Sequence, residues 1–302
     1  MPGTLRLTDV AARLRLFAGP LPRWATGSAT TFPAVPARPR SLPPDVEEHL
    51  AGLPASDAAR VRDPAGRAAP PPVWTPRALT LPGGGAARQV SPTTCGSAVL
   101  AVLALAGDPR LALRLALADD PAAGFAGLQQ TLQRACTTGP SGLPTWPRGL
   151  GTPPWAAARR ARYGAVRYTH RVVGGADHVG RSSRGARGSG GDEAPGGRVL
   201  PAALRAAAAG VPVPLYTGGD LSGGISRALP RHVVLLTAVH AADTRGPRAT
   251  LYEPSSGSLH TLPLDLLRRG AAPGDARGLA ARTRALGGWP HVVWAVLPCT
   301  LS

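Results

Sequence analysis

The stretch QVSPTTCGSAVLAVLALAG, residues 89–107, sets a polar turn directly against an apolar run, with Cys95 at the junction. The run from Cys95 to Ala106 predicts a buried helix, Gly107-Asp108-Pro109 stops it, and Ser91, Thr93 or Thr94 stands where a cap is needed. A thiol at this point has a chemical consequence. The thiolate is the nucleophilic form of cysteine, and the unpaired N–H groups and dipole at a helix N-terminus favour negative charge. Gly96 leaves space where a substrate carbonyl would approach. Gln89 lies upstream on the same turn, close enough to fold back and donate a side-chain N–H. Together with the Cys95 backbone N–H it would form an oxyanion hole. Taken alone, Cys95 is equally well a small core residue that begins a buried helix.

Outward from this helix the chain divides into two parts. Residues 1–82 read as a Pro/Arg/Ala-rich, partly disordered N-terminal extension, with order beginning near Leu79, and residues 83–302 as one domain. Inside the extension, Thr8 to Phe17 predicts a short basic amphipathic helix with Leu7, Val10, Leu14 and Phe17 on one face. A second short helix fits Pro44 to Leu53, with Asp45, Glu47 and Glu48 in its first turn. Downstream of Cys95, apolar periodicity predicts helices over 110–118 and 125–135, a weaker one over 155–163, and a strand over 165–173. Residues 174–198 are Gly/Ser/Arg-rich and read as a mobile surface loop. A helix over 200–209, closed by Gly210, leads to a strand over 211–217. Strands follow over 232–239, 249–253 and 258–262, then a short helix over 263–269 and a last strand over 291–298. Helices early and strands late make an α+β order, not a βαβ repeat.

A nucleophilic thiol needs a base, and the base needs orientation. His232 opens the strand His-Val-Val-Leu-Leu-Thr-Ala-Val after a loop that could frame a cleft. The next strand ends in Glu253, before Pro254-Ser255-Ser256-Gly257. If the two strands pair, Glu253 reaches the imidazole; Asp243, in the intervening turn, is a second candidate for the same role. Read singly, a histidine at a strand end is a structural residue and a glutamate before a turn is a solvated one.

The combination, in this order, resembles papain-like cysteine peptidases: Gln-x5-Cys-Gly before a helix, a late His-Val-Val-Leu-Leu strand, then a strand ending acidic-Pro-x-x-Gly. The nearest likeness is to the bacteriocin-processing, double-glycine leader peptidase-like group, and it covers about residues 85–260. The resemblance implies a papain-like fold, with an N-terminal helical lobe packed on a C-terminal antiparallel sheet and the active site between them. It implies Cys95 as nucleophile, His232 as general base, Gln89 as oxyanion donor and Glu253 as the orienting acid. It also implies cleavage of a peptide or amide bond in a peptide or protein substrate, by chemistry that needs no metal or organic cofactor. Three features depart from the family pattern: Glu stands where Asp is usual, the stretch between Cys95 and His232 is long, and no transporter or ATPase segment accompanies the domain. Two other functions remain open on the residues alone. One is a thioester-forming acyltransferase; the other is a non-catalytic peptide-binding scaffold with a degenerate site.

Composition bounds these readings. All 34 basic residues are arginine and the net charge is +17, but the Ala/Gly/Pro/Arg bias is that of a GC-rich, bacterial genome, so the charge says little about partners. With no aromatic-flanked basic motif and no recognition-helix signature, a specific nucleic-acid partner is not expected. Cys95, Cys136 and Cys299 form no CxxC pair, which argues against structural zinc or a disulfide framework and fits a reducing compartment. The longest apolar run, Ala98 to Ala106, is far short of a membrane span, and the N-terminus lacks a secretory apolar run, so the expected location is cytoplasmic.

Overall fold

The computed structural model describes residues 6–14, 16–17, 19–26, 42–139, 141–174, 195–224, 230–243 and 246–301. In chain order its helices are α1 (Leu7–Arg13), α2 (Pro44–Leu50), α3 (Ala55–Arg62), α4 (Cys95–Gly107), α5 (Pro109–Ala116), α6 (Pro121–Thr137), α7 (Pro154–Arg160), α8 (Val199–Ala208), α9 (Leu264–Arg269) and α10 (Ala276–Ala285). The strands are β1 (Arg77–Ala78), β2 (Arg162–Tyr163), β3 (Val166–Val172), β4 (Val213–Gly218), β5 (Pro230–Asp243), β6 (Gly246–Glu253), β7 (Ser258–Pro263) and β8 (His291–Pro298). The architecture is α+β. Among the described residues the strands form one antiparallel sheet in the order β1-β7-β6-β5-β4-β8-β3-β2.

The centre of this sheet explains why HVVLLTAV is a nearly continuous apolar run. Val233 and Leu235 join the core that contains α4, while Val234, Leu236 and Val239 join a second core with α8, α9 and α10. Both faces of β5 are covered, so both phases of its alternation must be apolar. Helix α4 is itself covered all round: Ala98, Val99, Leu100, Val102, Leu103 and Leu105 are each at most 2% exposed. Burial of one such Val or Leu contributes roughly 1.5–3 kcal/mol, and a helix apolar on every face is stable only inside a core. The expected helical lobe set against a sheet is therefore incomplete. Helices α4 and α7 pack on one face of the sheet with α5 and α6 packed against α4, and a second layer closes the other face.

Two further expectations are corrected. The predicted order from near Leu79 begins earlier, because Val46, Leu50, Ala58, Val61, Leu79 and Leu81 are buried in the same core as α4. The helix expected over Pro44 to Leu53 is α2, with Pro43 as its N-cap and Pro44 in its first turn, and a further helix that the pattern did not suggest, α3, has Pro54 as its N-cap. The proline ring presets helical φ at a position whose N–H has no helical partner to lose. The boundary at 82/83 also disappears, since Leu81 and Ala87 share one core and β1 pairs with β7. Of the predicted mobile loop 174–198, residues 175–194 lie outside the described residues; 195–198 form a turn leading into α8. Among the described residues no helix is long and apolar enough to cross a membrane.

Candidate active site

Cys95 is the first residue of α4 and is 5% exposed. Thr94 holds the N-cap position but does not cap the helix with its side chain. Its hydroxyl instead donates to the Ser91 carbonyl at 2.9 Å and accepts the Ser91 N–H at 3.0 Å. The first turn of α4 thus lacks the hydroxyl cap expected of Ser91, Thr93 or Thr94.

The loop before Cys95 is held by two glutamines of α6 that sequence reasoning missed. Gln129 is fully buried; its Oε1 accepts the Val90 N–H at 3.1 Å and its Nε2 donates to the Arg88 carbonyl at 2.9 Å. Gln133 Nε2 donates to Thr93 Oγ1 at 3.2 Å. Their signal in the sequence is a polar side chain on the apolar face of a helix, which needs a buried partner. Gly96 also meets a packing demand: a Cβ there would stand 2.7 Å from Thr152 Cβ.

His232 and Glu253 come together through strand register. Leu235 pairs with Tyr252 between β5 and β6, so Glu253 lies diagonal to His232 on the same side of the sheet. His232 Nε2 and Glu253 Oε1 are 2.8 Å apart, with the two residues 6% and 4% exposed. The carboxylate is held from behind by the turn: Oε1 accepts the Ser255 N–H at 2.7 Å and Oε2 the Ser256 N–H at 2.8 Å. The extra methylene of Glu over Asp therefore lets the carboxylate span from turn to imidazole without loosening it. Asp243 pairs with Gly246 at the opposite end of the β5–β6 hairpin, so its backbone is remote from His232.

Electrostatics follow from burial and these partners. Burial opposes a charge on His232, but the Cys95 thiol and the Glu253 carboxylate outweigh it and push the imidazole up to about 9. Burial likewise opposes ionisation of Glu253, but bonds from His232, Ser256 and Ser255 hold its carboxyl down at about 2. Both directions favour an imidazolium–carboxylate pair. With Nε2 engaged by Glu253, Nδ1 is the ring nitrogen left for Cys95.

The ring has a neighbour no motif announced. Gly287, at φ +67°, lies against His232 so closely that a Cβ there would overlap the imidazole. Its segment is pinned by Thr217, whose hydroxyl donates to the Leu286 carbonyl at 2.9 Å while its backbone pairs with His232.

A cavity of about 250 Å³ opens beside the pair, with Cys95, His232, Thr93, Tyr216 and Trp289 among its lining. Gln89 does not border it. The Gln89 amide donates to the Ser91 carbonyl at 2.9 Å, its Oε1 accepts from Ser255 Oγ at 3.2 Å, and its backbone N–H donates to the Pro254 carbonyl at 2.9 Å. It ties the cysteine loop to the acid turn. The remaining thiols sit elsewhere: Cys136 is buried, which pushes its thiol up to about 11, and Cys299 is exposed. Compared with family models, with curated proteins and with solved structures, the chain matches none.

Proposed function

We propose that this chain is a papain-like cysteine hydrolase that cleaves a peptide or amide bond. The observation that carries the reading is the 2.8 Å His232 Nε2–Glu253 Oε1 contact, which leaves Nδ1 for Cys95 at the start of α4. Each neighbour has a role that this chemistry requires.

In the proposed reaction the Cys95 thiolate attacks the substrate carbonyl carbon. A C–S bond forms, and the carbonyl electron pair moves to oxygen. The oxyanion accepts hydrogen bonds from backbone N–H groups at the start of α4. The tetrahedral intermediate collapses, the C–N bond breaks, and the leaving amine takes the proton of the His232 imidazolium. Water then attacks the thioester as His232 accepts its proton. The C–S bond breaks, an acid leaves, and the thiolate–imidazolium pair is restored. Glu253 keeps the ring oriented and stabilises its cationic form throughout.

The test is alkylation of Cys95 by iodoacetamide across pH, in protein carrying Cys136→Ala and Cys299→Ser, with and without His232→Ala. Fast alkylation near neutral pH that the His232 substitution abolishes is the expected result. A slow rate that His232→Ala leaves unchanged overturns the proposal.

A further inference from the structure

The side chain expected to hold the oxyanion is engaged elsewhere, since the Gln89 amide donates to the Ser91 carbonyl at 2.9 Å. A different group stands close to where a donor is needed. Thr152, just before α7, borders the same cavity as Cys95 and His232. Its hydroxyl oxygen lies against the backbone next to the nucleophile: a Cβ built on Gly96 would stand 2.9 Å from Thr152 Oγ1. The position is fixed from two sides. Gly151, at φ +73°, turns the chain beside the Thr93 carbonyl, and the Tyr216 hydroxyl of β4 donates to the Thr152 carbonyl at 2.8 Å. Thr152 is 4% exposed, yet among the described residues its hydroxyl has no hydrogen-bond partner. Buried hydroxyls are nearly all paired, and one left unpaired costs stability, so this one calls for a reason.

We infer that the Thr152 hydroxyl is the side-chain donor of the oxyanion hole, in the role that Gln89 does not fill. The inference rests on the hydrolase proposal for Cys95 and adds a catalytic residue to it. A threonine hydroxyl carries one donor hydrogen. Rotation about the Cα–Cβ bond swings it from Gly96 toward the cavity that Thr152 borders. There it donates to the oxygen that takes the carbonyl electron pair as the C–S bond to Cys95 forms, alongside the backbone N–H groups at the start of α4. The hydrogen stays on Thr152 throughout, so the proton count of the reaction is unchanged. A hydrogen bond to a charged oxygen is stronger than one to the ground-state carbonyl. The hydroxyl therefore favours the tetrahedral intermediate over the bound substrate, which is what accelerates the step.

The test sets two reactions of Cys95 side by side, in the full chain carrying Cys136→Ala and Cys299→Ser. Iodoacetamide is displaced at a saturated carbon and forms no oxyanion, so its rate reads the thiolate alone. p-Nitrophenyl acetate is attacked at its carbonyl and passes through an oxyanion before p-nitrophenolate leaves, so the rate of Cys95 acetylation reads the hole as well. Thr152→Val keeps the branched shape and removes the hydroxyl; Thr152→Ser keeps the hydroxyl. Thr152→Val should slow acetylation about a hundred- to a thousandfold while alkylation stays at its original rate, and Thr152→Ser should restore most of the acetylation. An acetylation rate that Thr152→Val leaves unchanged overturns this inference alone. Equal losses in both reactions also overturn it, because the residue then only holds Cys95 in place, and so does acetylation as slow in Thr152→Ser as in Thr152→Val. Alkylation indifferent to His232→Ala overturns the hydrolase proposal, and the inference falls with it.

Discussion

Gly287 lies directly against the His232 imidazole, in a backbone conformation, φ +67°, that an L side chain rarely adopts. The contact makes this glycine part of what holds the imidazole in place, although it is remote in sequence from Cys95, His232 and Glu253. Gly288 beside it is at φ +90° but has nothing within 4 Å of an added Cβ.

The pair gives a controlled comparison. Gly287→Ala and Gly288→Ala should both cost stability of about 1–2 kcal/mol from backbone strain. Only Gly287→Ala also displaces the imidazole, so only it should lower His232-dependent alkylation of Cys95, by at least about tenfold. Thermal melts and alkylation rates on the two variants check this, and equal alkylation rates would sink it.

Glu253→Gln removes the charge while preserving the shape. Burial then acts on His232 opposed by Cys95 alone, without the carboxylate, so the imidazole should titrate below about 9. Cleavage should fall by on the order of a thousandfold, as when a triad loses the group that fixes tautomer and charge. Glu253→Asp is too short to hold both the turn N–H groups and the ring, and should retain an intermediate rate. An NMR titration of His232 in each variant, set beside the rates, tests the assignment.

Stability should depend on pH in a definite direction. A histidine raised from 6.5 to about 9 stabilises the fold fully below 6.5 and loses that contribution as pH climbs through 9. A glutamate lowered from 4.5 to about 2 stabilises fully above 4.5 and loses its contribution as pH falls toward 2. The pair therefore contributes most between 4.5 and 6.5, with the histidine share on the order of 3 kcal/mol at most. Urea unfolding at pH 6 and pH 9.5 should show a drop in wild type that is largely absent in His232→Ala.

Gln89 should behave as a tie between loops. Loss of an oxyanion donor costs about a hundred- to a thousandfold in turnover, whereas Gln89→Ala should cost about tenfold. Ser255→Ala, which removes the partner of Gln89 Oε1, should cost a similar amount. The double variant should then be little worse than either alone. A loss near a thousandfold for Gln89→Ala alone would return the residue to the oxyanion role.

The late strands were legible because their apolar runs are dense and bounded by clear turns: β6, β7 and β8 lie within a few residues of where alternation and Pro/Gly punctuation place them. Helices α3 and α10 were not, because their Ala/Arg-rich sequences carry too few large apolar side chains to show a stripe. Pro54 misled for a related reason. The same fixed φ that stiffens a linker also begins a helix, and only the neighbouring core decides which occurs.

The sequence by itself determined the local chemistry. An uninterrupted apolar run makes α4 start at Cys95, an apolar strand carries His232 near its beginning, and a Pro-Ser-Ser-Gly turn ends β6 at Glu253. These follow from short-range rules of burial, pleat and turn geometry, and they can be read without the fold. The tertiary structure alone decided how those pieces meet. Antiparallel register sets Glu253 diagonal to His232, Gln129 reaches across from α6 to hold the loop before Cys95, and the chain after α10 returns to press Gly287 on the imidazole. Each of these is a contact between segments distant along the chain. It depends on which of many possible partners a strand edge or a buried amide finally satisfies, and that choice is made by the packing of the whole core.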